Sequence, residues 1–435
     1  MAASTDVDVT GAETPIGESK PPSRVRMIAV LGALVALGPL TIDMYLPALP
    51  KIADDLSVSS SVAQLTLTGT LAGLALGQLI VGPLSDSLGR RKPLMAGIVL
   101  HMVASVICLF APNIAVLGVA RGLQGVGAAA TMVVAIAVVG DLYADSVAAT
   151  VMSRLMLVLG VAPVIAPSLG AVVLLKASWH WVFAALVVLA GGLLVLAALA
   201  LPETLSASHR RPLKVRSIAA TYVELLRDAR FVVLVLVAAL GMSGLFAYIA
   251  GASFVLQGHY GLDQQVFALV FGAGAVALIG ATQFNVVLLR RFAPQTIVVW
   301  ALAAATLAGV VFVGLSYEHL GGLPGFVVPV WAILAAMGLV IPNAPAVALS
   351  RHPDAAGTAA ALLGAAQFGL GAAVAPLVGV LGTNEIALAL VMTAGMVIAL
   401  LALSSTLRWG HLQAVGVPAI ETKDGVIADA VAEPA

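Results

Sequence analysis

Twelve uncharged or nearly uncharged runs punctuate the chain, at about residues 27–49, 62–84, 94–112, 114–139, 155–175, 179–201, 231–256, 266–289, 296–316, 324–349, 357–382 and 386–407. A helix of about 20 residues crosses roughly 30 Å of hydrocarbon, so each run is long enough to span a bilayer. A membrane β-barrel would instead show alternating segments of about ten residues, and none appear. The pattern predicts an all-α integral membrane protein with twelve transmembrane helices. Composition agrees: 61% of the 435 residues are hydrophobic and only 10% are charged, against about 25% charged in soluble domains. Such a chain cannot cover itself with polar surface, which excludes a soluble enzyme.

The basic residues orient the spans. With the N-terminus inside, eighteen of the 21 Lys and Arg fall on the inner side, Lys51 and Lys176 fall outside, and Arg121 lies within a span. That bias predicts two cytoplasmic termini. Residues 1–26 and 409–435 read as polar tails, the first disordered and without the charged start and apolar core of a cleaved signal peptide. The longest connection is polar and basic (His209-Arg210-Arg211, Lys214, Arg216) and divides the chain six plus six. The expected domains are 27–205 and 230–408, joined by a cytoplasmic linker over 206–229. A weak repeat supports the division. Ala166-Pro167-Ser168-Leu169-Gly170 matches Ala375-Pro376-Leu377-Val378-Gly379, and Leu88-Gly89-Arg90-Arg91 matches Leu288-Leu289-Arg290-Arg291. Two parallel six-helix repeats place a substrate site between the halves near mid-membrane.

Ionisable groups inside spans are costly and mark function by default. Asp43 is the only acid well inside a span and Arg121 the only base. Both lie ~8–10 Å below the outer boundary by helical rise. They therefore form either a carboxylate that alternately holds a proton or substrate, or a static salt bridge between helices. His101, among Val, Met and Ala, reads as a packing histidine before a proton relay, and His180 between Trp179 and Trp181 belongs to an aromatic belt. No metal-ligand spacing, hydrolytic triad or phosphate loop appears, so no metal site and no catalytic residue is expected. Zero net charge excludes a general nucleic-acid binder, and the single cysteine, Cys108, excludes a disulfide framework.

Several motifs carry a family resemblance. Gly82-Pro83-Leu84-Ser85-Asp86-Ser87-Leu88-Gly89-Arg90-Arg91 resembles the signature loop of the major facilitator superfamily. Gly82 and Gly89 there permit tight turns, Asp86 caps the next helix or pairs with a neighbouring end, and Arg90 and Arg91 reach acidic groups such as Asp141. This set reads as a cytoplasmic gate. Ser87 departs from the family, which often has a basic residue there. Arg121-Gly122-Leu123-Gln124-Gly125 resembles the proton-coupling motif of drug:proton antiporters, and Gly160, Pro163, Pro167 and Gly170 the antiporter motif of twelve-helix exporters. Ala162 and Ala171 stand where that motif often has glycine. Ile42-Asp43-Met44-Tyr45-Leu46-Pro47, Leu201-Pro202-Glu203-Thr204-Leu205 and Ala356-Gly357-Thr358 narrow the resemblance to the bicyclomycin and chloramphenicol resistance exporters.

The resemblance implies a monomeric multi-pass protein of the bacterial inner membrane that exports small, partly apolar drugs, such as chloramphenicol- or bicyclomycin-like compounds. Protons entering the cell would drive it, with no other cofactor, and its partners would be the small-molecule substrate, protons and the lipid bilayer. The expected cavity residues are Tyr45, Gln64, Gln124, Met242, Phe246, Tyr248, Gln283, Asn343, Gln367 and Phe368. The alternative is export of one endogenous metabolite, a sugar derivative or amino acid. Such a site would need more fixed charges than the second half offers.

Overall fold

The computed structural model describes residues 24–210, 212, 214–352 and 355–408. The expected tails over 1–26 and 409–435 lie outside these, apart from residues 24–26. Those three form the first turn of α1 (Arg24–Asp43). Arginine stems can lie along an apolar surface while their heads stay in water, so a helix can start before the uncharged run. The remaining first-half helices are α2 (Leu49–Asp55), α3 (Ser60–Leu88), α4 (Arg91–Leu109), α5 (Ile114–Leu142), α6 (Asp145–Leu174) and α7 (His180–Ala200). A short amphipathic helix in the connection, α8 (Val215–Arg227), leads to α9 (Ala229–Ser253), α10 (Gln264–Leu288), α11 (Pro294–Tyr317), α12 (Gly322–Leu349), α13 (Ala356–Val380) and α14 (Glu385–Arg408). Twelve helices among the described residues are long and apolar enough to cross a membrane.

The first predicted run is not one helix. Asp43 would pair its carbonyl with the N–H of residue 47, but Pro47 has none, and α1 ends at Asp43. A 3₁₀ turn over Leu46–Ala48 then leads into α2. Gly82 also departs from expectation. It lies within α3, which continues to Leu88, and a side chain there would meet nothing within 4 Å. The turn is made at Gly89 alone, with φ of +89°, a conformation that glycine adopts without strain.

Helix packing within the first half depends on small residues. Along α3, Gly69, Gly73 and Gly77 lie against Gly118, Gly122 and Ala129 of α5, so close that a Cβ on Gly73 would overlap the Gly122 carbonyl. Stripes of small residues of this kind let backbones approach where lipid supplies no hydrophobic drive. Between the halves, α3 packs on α13 and α6 on α10. Among the described residues, hydrogen bonds from Ser61 Oγ to the Gly379 carbonyl (2.7 Å), Ser253 Oγ to the Leu46 carbonyl (2.6 Å) and Gln265 Nε2 to the Ala171 carbonyl (3.5 Å) join the halves. All three lie at the end opposite Arg90 and Arg91, here called the basic end. Among the described residues no hydrogen bond or ion pair links α5 to α12. The bundle is therefore clasped at the opposite end.

Candidate functional site

The break in α1 builds a polar pocket inside the first half. Arg121 is fully buried. Its Nη1 donates to the Thr41 carbonyl and to Gln124 Oε1, both at 2.9 Å. The guanidinium carbon lies 4.0 Å from the centroid of the Tyr45 ring and 5.9 Å from that of Phe183, within range of cation–π attraction. Tyr45 in turn shares a hydrogen bond with Thr66 at 3.1 Å.

From Gln124 the network continues across three helices. Its Nε2 donates to Ser105 Oγ at 2.7 Å, and Ser105 donates to the His101 carbonyl at 2.7 Å. Thr41 gives its hydroxyl proton to the Leu37 carbonyl (2.6 Å), so in its 2.8 Å contact with His101 Nε2 it accepts. This assigns the imidazole proton to Nε2. Arg121, Gln124, Ser105, His101 and Thr41 thus close a ring of hydrogen bonds tying α1, α4 and α5 together.

Asp43, at the end of α1, is not a member of this ring. It is buried, and its Oδ1 has no hydrogen-bond partner. Arg121 Nε and Nη2 are likewise buried without partners. Among the described residues no ion pair joins Asp43 to Arg121. The two buried groups predicted to share a depth both lie in the first half, each with unused hydrogen-bonding capacity.

The ten expected cavity residues separate. Tyr45, Gln64, Gln124, Phe246, Tyr248 and Asn343 are buried. Tyr248 stacks on Phe271 (centroids 5.0 Å, planes 10° apart), Phe246 lies 5.8 Å from Phe368, and Asn343 donates to Asn285 Oδ1 at 2.7 Å. Gln64 lies close to Gly379 across the clasped end, and neither of its amide atoms has a partner. Met242, Gln367 and Phe368 are half-buried, and Gln283 is exposed on α10. On α6, a Cβ on Gly170 would overlap the Met44 carbonyl at the α1 break, Gly160 faces Ile279 of α10, and Pro163 and Pro167 lie inside the helix.

At the basic end the Arg90 guanidinium makes four hydrogen bonds to three residues. Its Nε and Nη2 grip both oxygens of Asp141 (2.8 and 3.1 Å), and its Nη1 reaches Ser85 Oγ (2.9 Å) and Asp86. Burial alone would lower the Arg90 pKa; its bonds to Asp141 and Asp86 outweigh that and raise it. Asp86 pairs one turn along the chain and does not cap α4. That role falls to Glu203, whose carboxylate accepts the backbone N–H of Arg90 (2.8 Å) and of Arg91 (3.3 Å), an anion at a helix N-terminus. Arg91 Nη2 reaches the Ala198 carbonyl. Glu203 was visible in its motif but not its target, since 112 or more residues separate it from the arginines. The second half does not copy the arrangement: Arg290 and Arg291 make no ion pair among the described residues. Instead Arg351 and His352 hold Asp228 (2.9 and 3.1 Å) at the start of α9.

Two six-helix halves joined face to face, with buried charge in one and an arginine–carboxylate cluster at one end, define a membrane transporter architecture. The chain belongs to the Major Facilitator Superfamily, whose model matches residues 31–376. It is 38% identical over 385 residues to an uncharacterized MFS-type transporter, YdgK, of Bacillus subtilis, covering 87% of this chain and 94% of that one. It is 32% identical over 353 residues to the bicyclomycin resistance protein homolog of Haemophilus influenzae (81% and 88% covered). A chloramphenicol resistance protein of Pseudomonas aeruginosa is 30% identical over 345 residues (77% and 79%). In fold it resembles a D-xylose–proton symporter, with a TM-score of 0.65 at 17% identity, covering 86% of this chain and 96% of that one.

Proposed function

We propose that this protein is a proton-coupled exporter of small, partly apolar drugs in a bacterial inner membrane, with its basic end and both termini in the cytoplasm. The sidedness rests on the sequence's bias of eighteen basic residues to the predicted inner side, the side on which Arg90 and Arg91 lie. The clasped end then faces outward, and the structure is the inward-facing member of an alternating-access pair. Drug export is supported by the drug-resistance names of two relatives.

One observation carries the mechanism: the first half buries a carboxyl, Asp43, and a guanidinium, Arg121, each with unpaired polar atoms and no ion pair between them. A bare carboxylate among apolar side chains is costly, so Asp43 without a partner holds a proton. When the unpaired Nε or Nη2 of Arg121 engages it, the carboxylate form is stabilised and the proton leaves. Alternation between these arrangements takes a proton from outside and releases it inside. A drug cavity between the halves would draw on the half-buried Met242, Gln367 and Phe368, a weakly polar lining that suits varied ligands.

The test is resistance profiling of a susceptible bacterium expressing the chain, with and without a protonophore. Raised tolerance to chloramphenicol- or bicyclomycin-like compounds that the protonophore abolishes is the expected result. Unchanged susceptibility across the panel, with counterflow of a single sugar derivative or amino acid, would establish the metabolite exporter instead.

A further inference from the structure

Each helix-interior proline leaves one carbonyl, four residues earlier, without its usual donor. In α12 this carbonyl belongs to Gly338, ahead of Pro342, and Thr282 of the neighbouring α10 fills it at 2.8 Å. In α3 it belongs to Leu79, ahead of Pro83. The group that fills it comes from outside the transmembrane bundle: Tyr222 of α8 donates its hydroxyl to the Leu79 carbonyl at 3.3 Å. Helix α8 otherwise packs on α9 and α13 of the second half, with Leu225 buried. A helix seated on one half therefore caps an open carbonyl of the other, about two turns above the Asp86–Arg90 cluster.

The faces of α8 show what surrounds it. Ile218, Tyr222 and Leu225, at helical spacing, turn toward the protein. Beside them Ala219, Val223 and Leu226 form an apolar stripe, with Val223 45% and Leu226 54% exposed. Arg216, Glu224 and Arg227 occupy the remaining face. Tyr222 reaches a carbonyl inside a membrane-spanning helix, so the stripe next to it lies at the edge of the hydrocarbon. Apolar and basic faces side by side, at that level, fit an anionic lipid surface.

We propose that α8 is a lipid-seated clasp: its Ala219–Val223–Leu226 stripe rests in the headgroup layer, and its Tyr222 hydroxyl holds the Leu79 carbonyl that Pro83 leaves open. The clasp favours the state in which the opposite end is shut. The lipid assignment to the inner leaflet rests on the orientation proposed above; the hydrogen bond does not.

The experiment uses the full chain in nanodiscs containing acidic phospholipid, without drug or proton gradient, so it reads conformation independently of what is transported. Spin labels at positions 142 and 350 report the separation of the basic ends of α5 and α12. Tyr222→Phe removes one hydroxyl and shifts the populations toward a closed basic end by about five-fold, the worth of one net hydrogen bond. In a Pro83→Ala background residue 83 regains an N–H for the Leu79 carbonyl, and the same Tyr222→Phe change then has no effect. Equal populations in wild type and Tyr222→Phe, or an undiminished shift in the Pro83→Ala background, overturns the clasp. A label at position 226 should collide with oxygen and be shielded from a water-soluble nickel reagent; nickel access equal to that of a label at 210 overturns the lipid seat.

Discussion

The guanidinium of Arg121 stacks over the ring of Tyr45 at 4.0 Å and makes no ion pair with Asp43, two residues earlier in the chain. A buried cation is thus held by a carbonyl, an amide oxygen and an aromatic face, with part of its donor capacity in reserve. Lysine cannot reproduce this, because its ammonium lacks the planar fork and the stacking face. Arg121→Lys should lower thermal stability in detergent by about 1–3 kcal/mol, the range for a buried acceptor left unmatched. It should also abolish uphill transport. Wild-type melting and uphill transport in this variant would remove Arg121 from both roles.

Close approach of α3 and α5 makes a steric prediction with a built-in control. Gly73→Ala places a methyl group on the Gly122 carbonyl and should destabilise by about 1–3 kcal/mol. Gly82→Ala, in open space within the same helix, should be neutral or stabilising by up to about 1 kcal/mol. Thermal unfolding of the two variants side by side gives the comparison.

Arg90 joins α3 to α5 through Asp86 and Asp141. Asp86→Asn and Arg90→Ala should slow transport several-fold while leaving membrane insertion and drug binding near wild type, because the cluster lies at the basic end, away from the proposed cavity between the halves. Purified Asp86→Asn cycling at the wild-type rate would show that the cluster does not govern opening.

Glu203 gives a pH dependence. Burial pushes its carboxyl up, but the backbone N–H groups of Arg90, Leu205 and Arg91 and the charge of Arg210 outweigh this and hold its pKa below the usual value. Its contribution is therefore complete above the ordinary glutamate pKa of about 4.3 and lost as pH falls through the lowered folded value. Glu203→Gln should melt below wild type at pH 7, and the gap should narrow as the pH drops below about 4. A gap that is constant with pH would mean that the charge contributes nothing.

Much of this fold is written in local pattern, and much of the site is not. Twelve helices follow from uncharged runs because lipid demands them, and the gate arginines stand in a contiguous motif. The break after Asp43 was legible in Pro47 but masked by the unbroken hydropathy around it. Thr41 and Ser105 carry no charge, so nothing in their residue type flags them. Only the fold brings them to Arg121, although Ser105 follows His101 at a one-turn spacing. Six of the cavity candidates are buried, and a polar or aromatic side chain within a span marks a helix contact as readily as a cavity wall. Glu203 could not be matched to the Arg90 and Arg91 N–H groups from spacing alone, since four membrane crossings lie between them.

The central claim is that Asp43 carries the coupled proton. Its most direct test compares wild type with Asp43→Asn in two readouts: drug-induced proton release from the purified protein, and uphill drug transport in proteoliposomes under an imposed pH gradient. Asp43→Asn should lose both, while downhill exchange of a neutral drug survives. Full proton release and full uphill transport by Asp43→Asn would contradict it and move the search to His101, the titratable member of the adjoining hydrogen-bonded ring.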